Sequence, residues 1–309
     1  IVRLEQAAGI ASSYVTPFND WTPWNFAALM LCLMLGTAGL PHILVRFYTA
    51  PSPGAARRSA GWALLFISLL YLTAPAYAAF SRWEVLEHVV GQPVGALPEW
   101  AVNWANAGLL TIADQNGDGV LQLSELRIDP DLVVLATPEI AGLPHVVAAL
   151  VAAGGLAAAL STADGLLLVI ASALAHDVFK AVSPGTSARR RLLIGRVMVL
   201  VAAVAAAIVA IRRLGIIVQL VAGAFSLAAA TFFPVLVLGI FWKRANGAGA
   251  VAGMLAGLVV TLVYLVANTL DPAFNVLGIT SVAAGVFGVP ANLLVTVAVS
   301  LLTRPPSPD

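Results

Sequence analysis

The stretch "AAALSTADGLLLVI", residues 157–170, sets a carboxylate, Asp164, inside a long apolar run. At bilayer depth a carboxylate costs roughly 2.5–3.5 kcal/mol on insertion scales, so such a residue marks a function by default. Ala158, Ser161 and Thr162 fall at helical spacing, with Asp164 and Gly165 just beyond. Hydroxyls and backbone carbonyls supply oxygen ligands without a fixed charge. A carboxylate one turn away makes a cation pathway the chemistry to expect, with Asp164 facing an ion or a proton rather than lipid. The hydroxyls alone say less, because Ser and Thr in membrane helices bond to the carbonyl four residues back.

A second constellation is "DQNGDGVLQLSE", residues 114–125, which fits the calcium loop of an EF-hand at its diagnostic positions. Asp114, Asn116 and Asp118 stand at one, three and five, Gly119 at the sharp turn, and Val120 offers its carbonyl at seven. Leu121 is the apolar eighth residue, Gln122 acts at nine through water, and Glu125 closes the site at twelve. Calcium, held weakly as a staple for the loop, is one reading; an Asx-rich turn without metal is the other. EF-hands normally pair, and only one such loop is present; Pro130 also leaves little room for an exit helix.

The third feature is "LCLMLGTAGLPHILVRF", where Gly36, Thr37, Gly39 and Pro41 interrupt an apolar run. Proline removes a donor and glycine tolerates non-helical angles. Irregular backbone at membrane depth is tolerated only where protein covers it or it lines a cavity. Secondary transporters place solute and ion sites at such broken helices; a plain proline kink is the alternative. His42, just after the break, either touches a solute or merely sits there.

These residues need membrane-spanning elements to position them. The chain has 309 residues, 60% hydrophobic and 10% charged, against roughly 25% charged in a soluble domain. That composition predicts an all-α integral membrane protein. Apolar runs of span length fall at about 26–45, 60–80, 145–175, 192–210, 214–241, 249–268 and 282–303, seven in all. A net charge of +1 indicates no nucleic-acid partner, and the single Cys32 allows no disulfide framework. No phosphate loop, nucleophile–base pair or metalloprotease pattern occurs, so no enzyme is expected. Asp177 and Lys180 read as a structural anchor at the end of the third run.

Basic residues set the orientation. One set of loops carries Arg46, Arg57, Arg58, Lys180, Arg189, Arg190, Arg191, Lys243, Arg244 and Arg304, ten in all, and the opposite set carries Arg3, Arg82, Arg127, Arg212 and Arg213, five. The ten should face the cytoplasm, which puts the N-terminus outside a plasma or inner membrane and the C-terminus inside. The opening "IVRLEQAAG" has no Met and no signal-peptide pattern. It reads as a chain whose beginning is missing.

Several blocks together resemble the sodium:solute symporter family, particularly its acetate-permease-like branch. They are "GTAGLPHILVRFYT", "ARRSAGWALLFISLLYLTAPA", "LATPEIAGLP", "AAGGLAAALSTADGLLLVIASALAHDVFK" and "AFSLAAATFFPVLVLGIFWKRANGAGAVAGMLAG". They cover most of residues 25–268 in the family's order. The resemblance implies a leucine-transporter-like fold of two inverted five-helix repeats around a midplane site. Residues 26–241 would be the second repeat, carrying the external loop 81–143; residues 1–25 would be an external segment, and 242–309 two accessory helices with a short tail. The first repeat would be missing, to be supplied by the same gene or a separate chain.

The implied sodium ligands are the Ala158 carbonyl and the Ser161 and Thr162 hydroxyls. A second cation or a proton would sit at Asp164 and Gly165, where this chain departs from the family in charge. Solute contacts would come from Gly36, Thr37, Gly39, Pro41 and His42 and from the fifth span at Phe225 and Ser226. The expected function is sodium-coupled uptake of a small organic solute, a short monocarboxylate such as acetate. The rival readings are a non-transporting fragment and a membrane sensor derived from a symporter.

Overall fold

The computed structural model describes residues 1–11, 13–18, 21–129, 131, 133–174, 187–212 and 216–306. Asp177, Lys180, Arg213 and Pro130 lie outside them. In chain order the main elements are α1 (Val2–Ala7), α2 (Pro23–Gly39), α3 (Pro41–Tyr48), α4 (Pro53–His88), α5 (Glu99–Asn106), β1 (Leu110–Ile112), β2 (Leu126–Ile128), α6 (Val133–Ile140), α7 (His145–Ser172), α8 (Ala188–Ile211), α9 (Ile217–Thr231), α10 (Phe233–Phe241), α11 (Gly247–Leu270) and α12 (Gly285–Leu302). Among the described residues six stretches are long and apolar enough to cross a bilayer, and the bent pair α2–α3 makes a seventh. The protein is a multi-pass, nearly all-α membrane protein.

One boundary differs from the sequence expectation. α4 has 36 residues, about 54 Å at 1.5 Å per residue, against a hydrocarbon core of about 30 Å. Residues 81–88, read from sequence as loop, continue the helix. Val85 and Val89, four apart on one face, explain why: both are buried against the polar segment that follows.

The chain divides into two compact units. One comprises Ile1–Asn19 and Pro51–Ala163, the other Asp20–Ala50 and Asp164–Asp309.

In the first unit the small core holds Val85, Val89, Leu121, Ala136 and Ile140, with Trp100, Trp104, Leu126 and Ile128 packed on it. Leu121, the eighth residue of the acidic loop, is fully buried there. The loop's main chain pairs with the strand-like stretch after α4: Gly91 N donates to Leu121 O at 2.8 Å, Leu121 N to Gln92 O at 2.9 Å, and Val94 N to Gly119 O at 2.9 Å. That pairing takes the place of a second EF-hand. A two-stranded ribbon, β1 against β2 with Leu110 opposite Ile128, closes the loop's base. The flanks are thus strand and a single 3₁₀ turn, not two helices.

α6 packs on α4. Its Pro138 lacks the N–H that a helix would bring to Val134 O, and Tyr77 Oη donates to that carbonyl at 2.8 Å. Ser81 and Thr137 hydroxyls bond to each other in the same contact. The N-terminal segment is tied on by Glu5, only 1% exposed, which accepts from Ser13 Oγ at 2.5 Å, Arg82 Nε at 2.6 Å and Tyr14 N at 3.1 Å. The Ser13 hydroxyl, with help from Tyr14 N–H and Arg82, holds its carboxyl below the usual glutamate range despite burial.

The second unit is built on close helix approach. α11 carries Gly249, Gly253 and Gly257 at four-residue spacing; α12 answers with Asn292, Thr296 and Ser300, all buried. Lipid tails are as apolar as leucine, so spanning helices associate through small residues and interhelical hydrogen bonds. A Cβ at Gly257 would lie 2.1 Å from the Ala230 carbonyl oxygen of α9, and one at Gly253 would lie 1.8 Å from Thr296 Oγ1. Pro234 removes the donor that Ala230 O would have in a continuous helix, and α9 ends there. Asn292 Nδ2 replaces it, donating to Ala230 O at 2.7 Å and Thr231 O at 2.8 Å.

Two outcomes are expected. Gly257→Ala gains about 1 kcal/mol of helix propensity but meets a backbone atom, which cannot turn aside; overpacking of about 1–3 kcal/mol decides the sign. The variant should melt lower than wild type in a detergent thermal-unfolding assay of the full-length protein, while Gly239→Ala, with open space around its Cβ, should not. Because Glu5 has a lower pKa folded than unfolded, its tie is at full strength above the ordinary glutamate range. It is lost as pH falls through the depressed value. Hydrogen-exchange protection of residues 1–14 should therefore fall below about pH 4.3, and Glu5→Gln should abolish that pH dependence. Protection that stays level in wild type through strong acid would contradict the assignment.

Candidate functional site

In the second unit the first span breaks at a single residue. Leu40 has φ −71° and ψ 120°, and α2 and α3 meet at 42°. The residue before a proline is pushed out of the α region, so Pro41 sets the place. Gly36 and Gly39 are still helical and do something else: they let α2 lie against α9. A Cβ at Gly36 would be 2.4 Å from Phe225 O, and one at Gly39 would be 3.0 Å from Ala228 O.

The break leaves two unlike ends facing each other along the chain. Pro41 brings no N–H to Thr37 O, so the α2 end presents a carbonyl. The α3 end presents the His42 N–H, which has no intrahelical acceptor. His42 Nδ1 is buried without a hydrogen-bond partner among the described residues. Gly165, from α7, lies beside His42; a Cβ there would be 3.6 Å from the His42 Cβ. Thr37 is exposed, and its hydroxyl donates to Leu33 O at 2.7 Å.

Of the two fifth-span residues, Phe225 is half-buried where Gly36 packs. Ser226 is fully buried, and its hydroxyl donates to Val282 O at 2.6 Å. The structure therefore gathers Gly36, Gly39 and Phe225 at one helix crossing and His42 with Gly165 at another point. Ser226 serves the packing of α9 on the turn before α12.

Ala158, Ser161 and Thr162 lie on the part of α7 that belongs to the first unit, and Asp164 and Gly165 on the part that belongs to the second. The helix is regular through all five, and the first four are exposed. Thr162 Oγ1 donates to Ala158 O at 3.1 Å. That bond uses the hydroxyl's proton and leaves its lone pairs outward. Asp164 has no hydrogen bond or ion pair to a described residue.

The acidic loop is closed by its own donors. Asp114 accepts from Gly117 N at 2.8 Å and Gly119 N at 2.9 Å; both glycines have positive φ. Glu125 accepts from Gln115 N at 2.9 Å and Gln122 N at 3.0 Å. Asp118 accepts from Val120 N, Asn116 Nδ2 and Gln122 Nε2. Val120 N–H first, then Asn116, hold its carboxyl below the usual aspartate range. Among the described residues no three His, Cys, Asp or Glu converge to hold a metal. Asp114, Asn116, Asp118 and Glu125 thus accept turn and side-chain N–H groups, and the loop is held in shape by its own donors.

Asn292 and the glycines of α11 escape a reading aimed at ion and solute chemistry. Their signal is present nonetheless: polar residues every fourth position in one apolar span, glycines every fourth in another.

A family model described as the sodium:solute symporter family matches residues 5–112 and 131–257. The acidic loop falls in the gap between the two matched segments. An uncharacterized symporter of Cupriavidus necator is 51% identical over 291 residues, covering 90% of this chain and 42% of that protein. A monocarboxylic acid transporter of Corynebacterium glutamicum is 29% identical over 252 residues, covering 79% and 39%. A sodium/proline symporter of Haemophilus influenzae is 30% identical over 262 residues, covering 83% and 45%. The chain thus spans less than half the length of these relatives, and no solved structure is significantly similar to it. With a model match over both the broken first span and the Ser161–Thr162 helix, this chain belongs to the sodium:solute symporter family.

Proposed function

We propose that the protein is part of a sodium-coupled symporter that takes up a small organic solute, a short monocarboxylate such as acetate. The observation that carries this reading is the break at Leu40. A half-helix N-terminus with a free N–H favours an anion, and the facing helix end offers carbonyl oxygen to a cation. His42 adds an imidazole nitrogen with no other partner among the described residues. A carboxylate at the N-terminus of α3 is matched in charge and in hydrogen bonding; a neutral or cationic solute is not. The likeness to a monocarboxylic acid transporter of Corynebacterium glutamicum points the same way.

Sodium, in this reading, is held by the Ala158 carbonyl and the Ser161 and Thr162 hydroxyls. The Thr162 oxygen keeps its lone pairs while donating to Ala158 O, so it can ligate without changing rotamer. The Ala158 carbonyl already serves that hydroxyl and the helix N–H of Thr162; for it to ligate, the hydroxyl proton must turn away. Asp164, one turn on, adds charge for a second cation or a proton. With the ten-residue basic set on the cytoplasmic side, each sodium that enters gains about 2.3 kcal/mol per 100 mV of membrane potential. Residues 26–241 then act as one five-helix repeat, and α11 and α12 as accessory helices.

Uptake of labelled acetate by full-length protein in proteoliposomes tests the proposal. An inward sodium gradient at constant pH should drive accumulation. Thr162→Ala should raise the half-saturating sodium concentration about tenfold or more, since a hydrogen-bond-class contact to a charge contributes on the order of 1.5–3 kcal/mol. His42→Ala should instead raise KM for the carboxylate and leave the sodium dependence close to wild type. Uptake indifferent to sodium, or untouched by saturating unlabelled acetate, would sink the sodium and the monocarboxylate assignments respectively.

A further inference from the structure

The start of α8 gathers an unusual amount of positive charge. Arg189, Arg190, Arg191 and Arg196 fall in its first nine residues, and no acidic residue stands in its first turn. A helix N-terminus is already the positive end of the macrodipole, so cations there are disfavoured by a few tenths of a kcal/mol to about 1 kcal/mol each. None of the four makes an ion pair or side-chain hydrogen bond with a described residue. An anion placed there would offset this repulsion.

The geometry narrows what that is. Ser187, Arg189, Arg190, Leu192, Leu193 and Arg196 line a cavity of about 490 Å³. Its wall thus combines three guanidinium groups with two leucines that stand between Arg189 and Arg196 along the helix, and both leucines are exposed. From Arg189 inward α8 is apolar enough to span a bilayer, so the cavity stands at the membrane boundary. Arg196 is two turns deeper, about 10 Å along the axis. Arg189 and Arg196, seven residues apart, lie on one face of the helix and line the same cavity. Ser187 Oγ accepts from Arg190 N at 3.4 Å, which leaves its own proton to donate outward. None of the described side chains of α8 is buried, so the flank below the arginines is open to acyl chains.

We propose that this end of α8 binds the headgroup of an anionic phospholipid. Arg189, Arg190 and Arg196 take the phosphodiester through their forked N–H groups, and the acyl chains run along Leu192 and Leu193. Arginine rather than lysine is suited to this, because its planar fork matches phosphate oxygens in pairs.

Native mass spectrometry of the full-length protein in detergent with equimolar phosphatidylglycerol and phosphatidylcholine reads the proposal directly. Wild type should retain one phosphatidylglycerol in preference by about fivefold or more, the effect of a single interfacial arginine. The Arg189→Gln, Arg190→Gln, Arg196→Gln variant should retain both lipids equally. The Arg57→Gln, Arg58→Gln variant, which removes a basic pair from the start of α4, should keep the preference. Arg→Lys at the same three α8 positions preserves charge and folding, and should lower the preference through loss of the fork alone. Three results would overturn the site: full preference in the lysine variant, equal loss in the α4 variant, or abolition of the preference by inorganic phosphate, which would make the ligand a soluble anion.

Discussion

Each proline in a spanning or buried helix frees the carbonyl four residues earlier, and no water competes for that carbonyl inside a membrane or a packed core. Much of this structure follows from how those carbonyls are answered. Ala230 O, freed by Pro234, takes the Asn292 amide. Val134 O, freed by Pro138, takes the Tyr77 hydroxyl. In each case the donor lies on another helix, so meeting a local need fixes which helices touch. Thr37 O, freed by Pro41, takes no donor from another described helix, and the chain bends at Leu40 instead. That unlike solution is what sets the first span apart from the other two, and it is the feature on which the proposed solute site rests.

Close approach does the rest of the work in the second unit. An asparagine amide can reach across to α9 only if α11 and α12 come together, and Gly253 and Gly257 permit it where any Cβ would strike oxygen. The polar residues Asn292, Thr296 and Ser300 are buried without cost because each has a partner within reach. By contrast α7 and α8 present apolar side chains outward along most of their length. Energetically the two regimes differ: the first is held by packing and hydrogen bonds made within this chain, the second by whatever surrounds it. The α7 residues proposed to hold sodium therefore sit on a surface, whereas the broken helix is braced from behind by α9.

The acidic loop shows how a familiar pattern acquires another role. Its carboxylates satisfy turn N–H groups, its Leu121 plugs a core with Val85 and Val89, and its main chain pairs with residues 91–94. The result fastens the loop to the projecting end of α4. Lying in the gap between the two segments matched by the family model, the loop elaborates the polar segment between two spans.

By itself the sequence determined the number and rough limits of the spans, because apolar runs of about 20 residues have only one stable environment. It determined the break near Pro41 and the turns of the acidic loop, because proline and glycine act through the local backbone. It could place Ser161, Thr162 and Asp164 on one helix, because helical spacing is a local rule. Tertiary structure decided what those rules cannot reach. Gly36 and Gly39 look like breakers in sequence but are contact points for α9. Ser226 looks like a solute ligand but bonds to Val282 O. The acidic loop reads as a calcium loop in sequence, and its folded shape is held by its own N–H groups. Residues 81–88 look like loop but are helix, since Val85 and Val89 find a core contributed by residues more than thirty positions away. Outside the acidic loop, whose donors are local, the deciding partner is distant along the chain, and periodicity carries no information about which distant surface a side chain will meet.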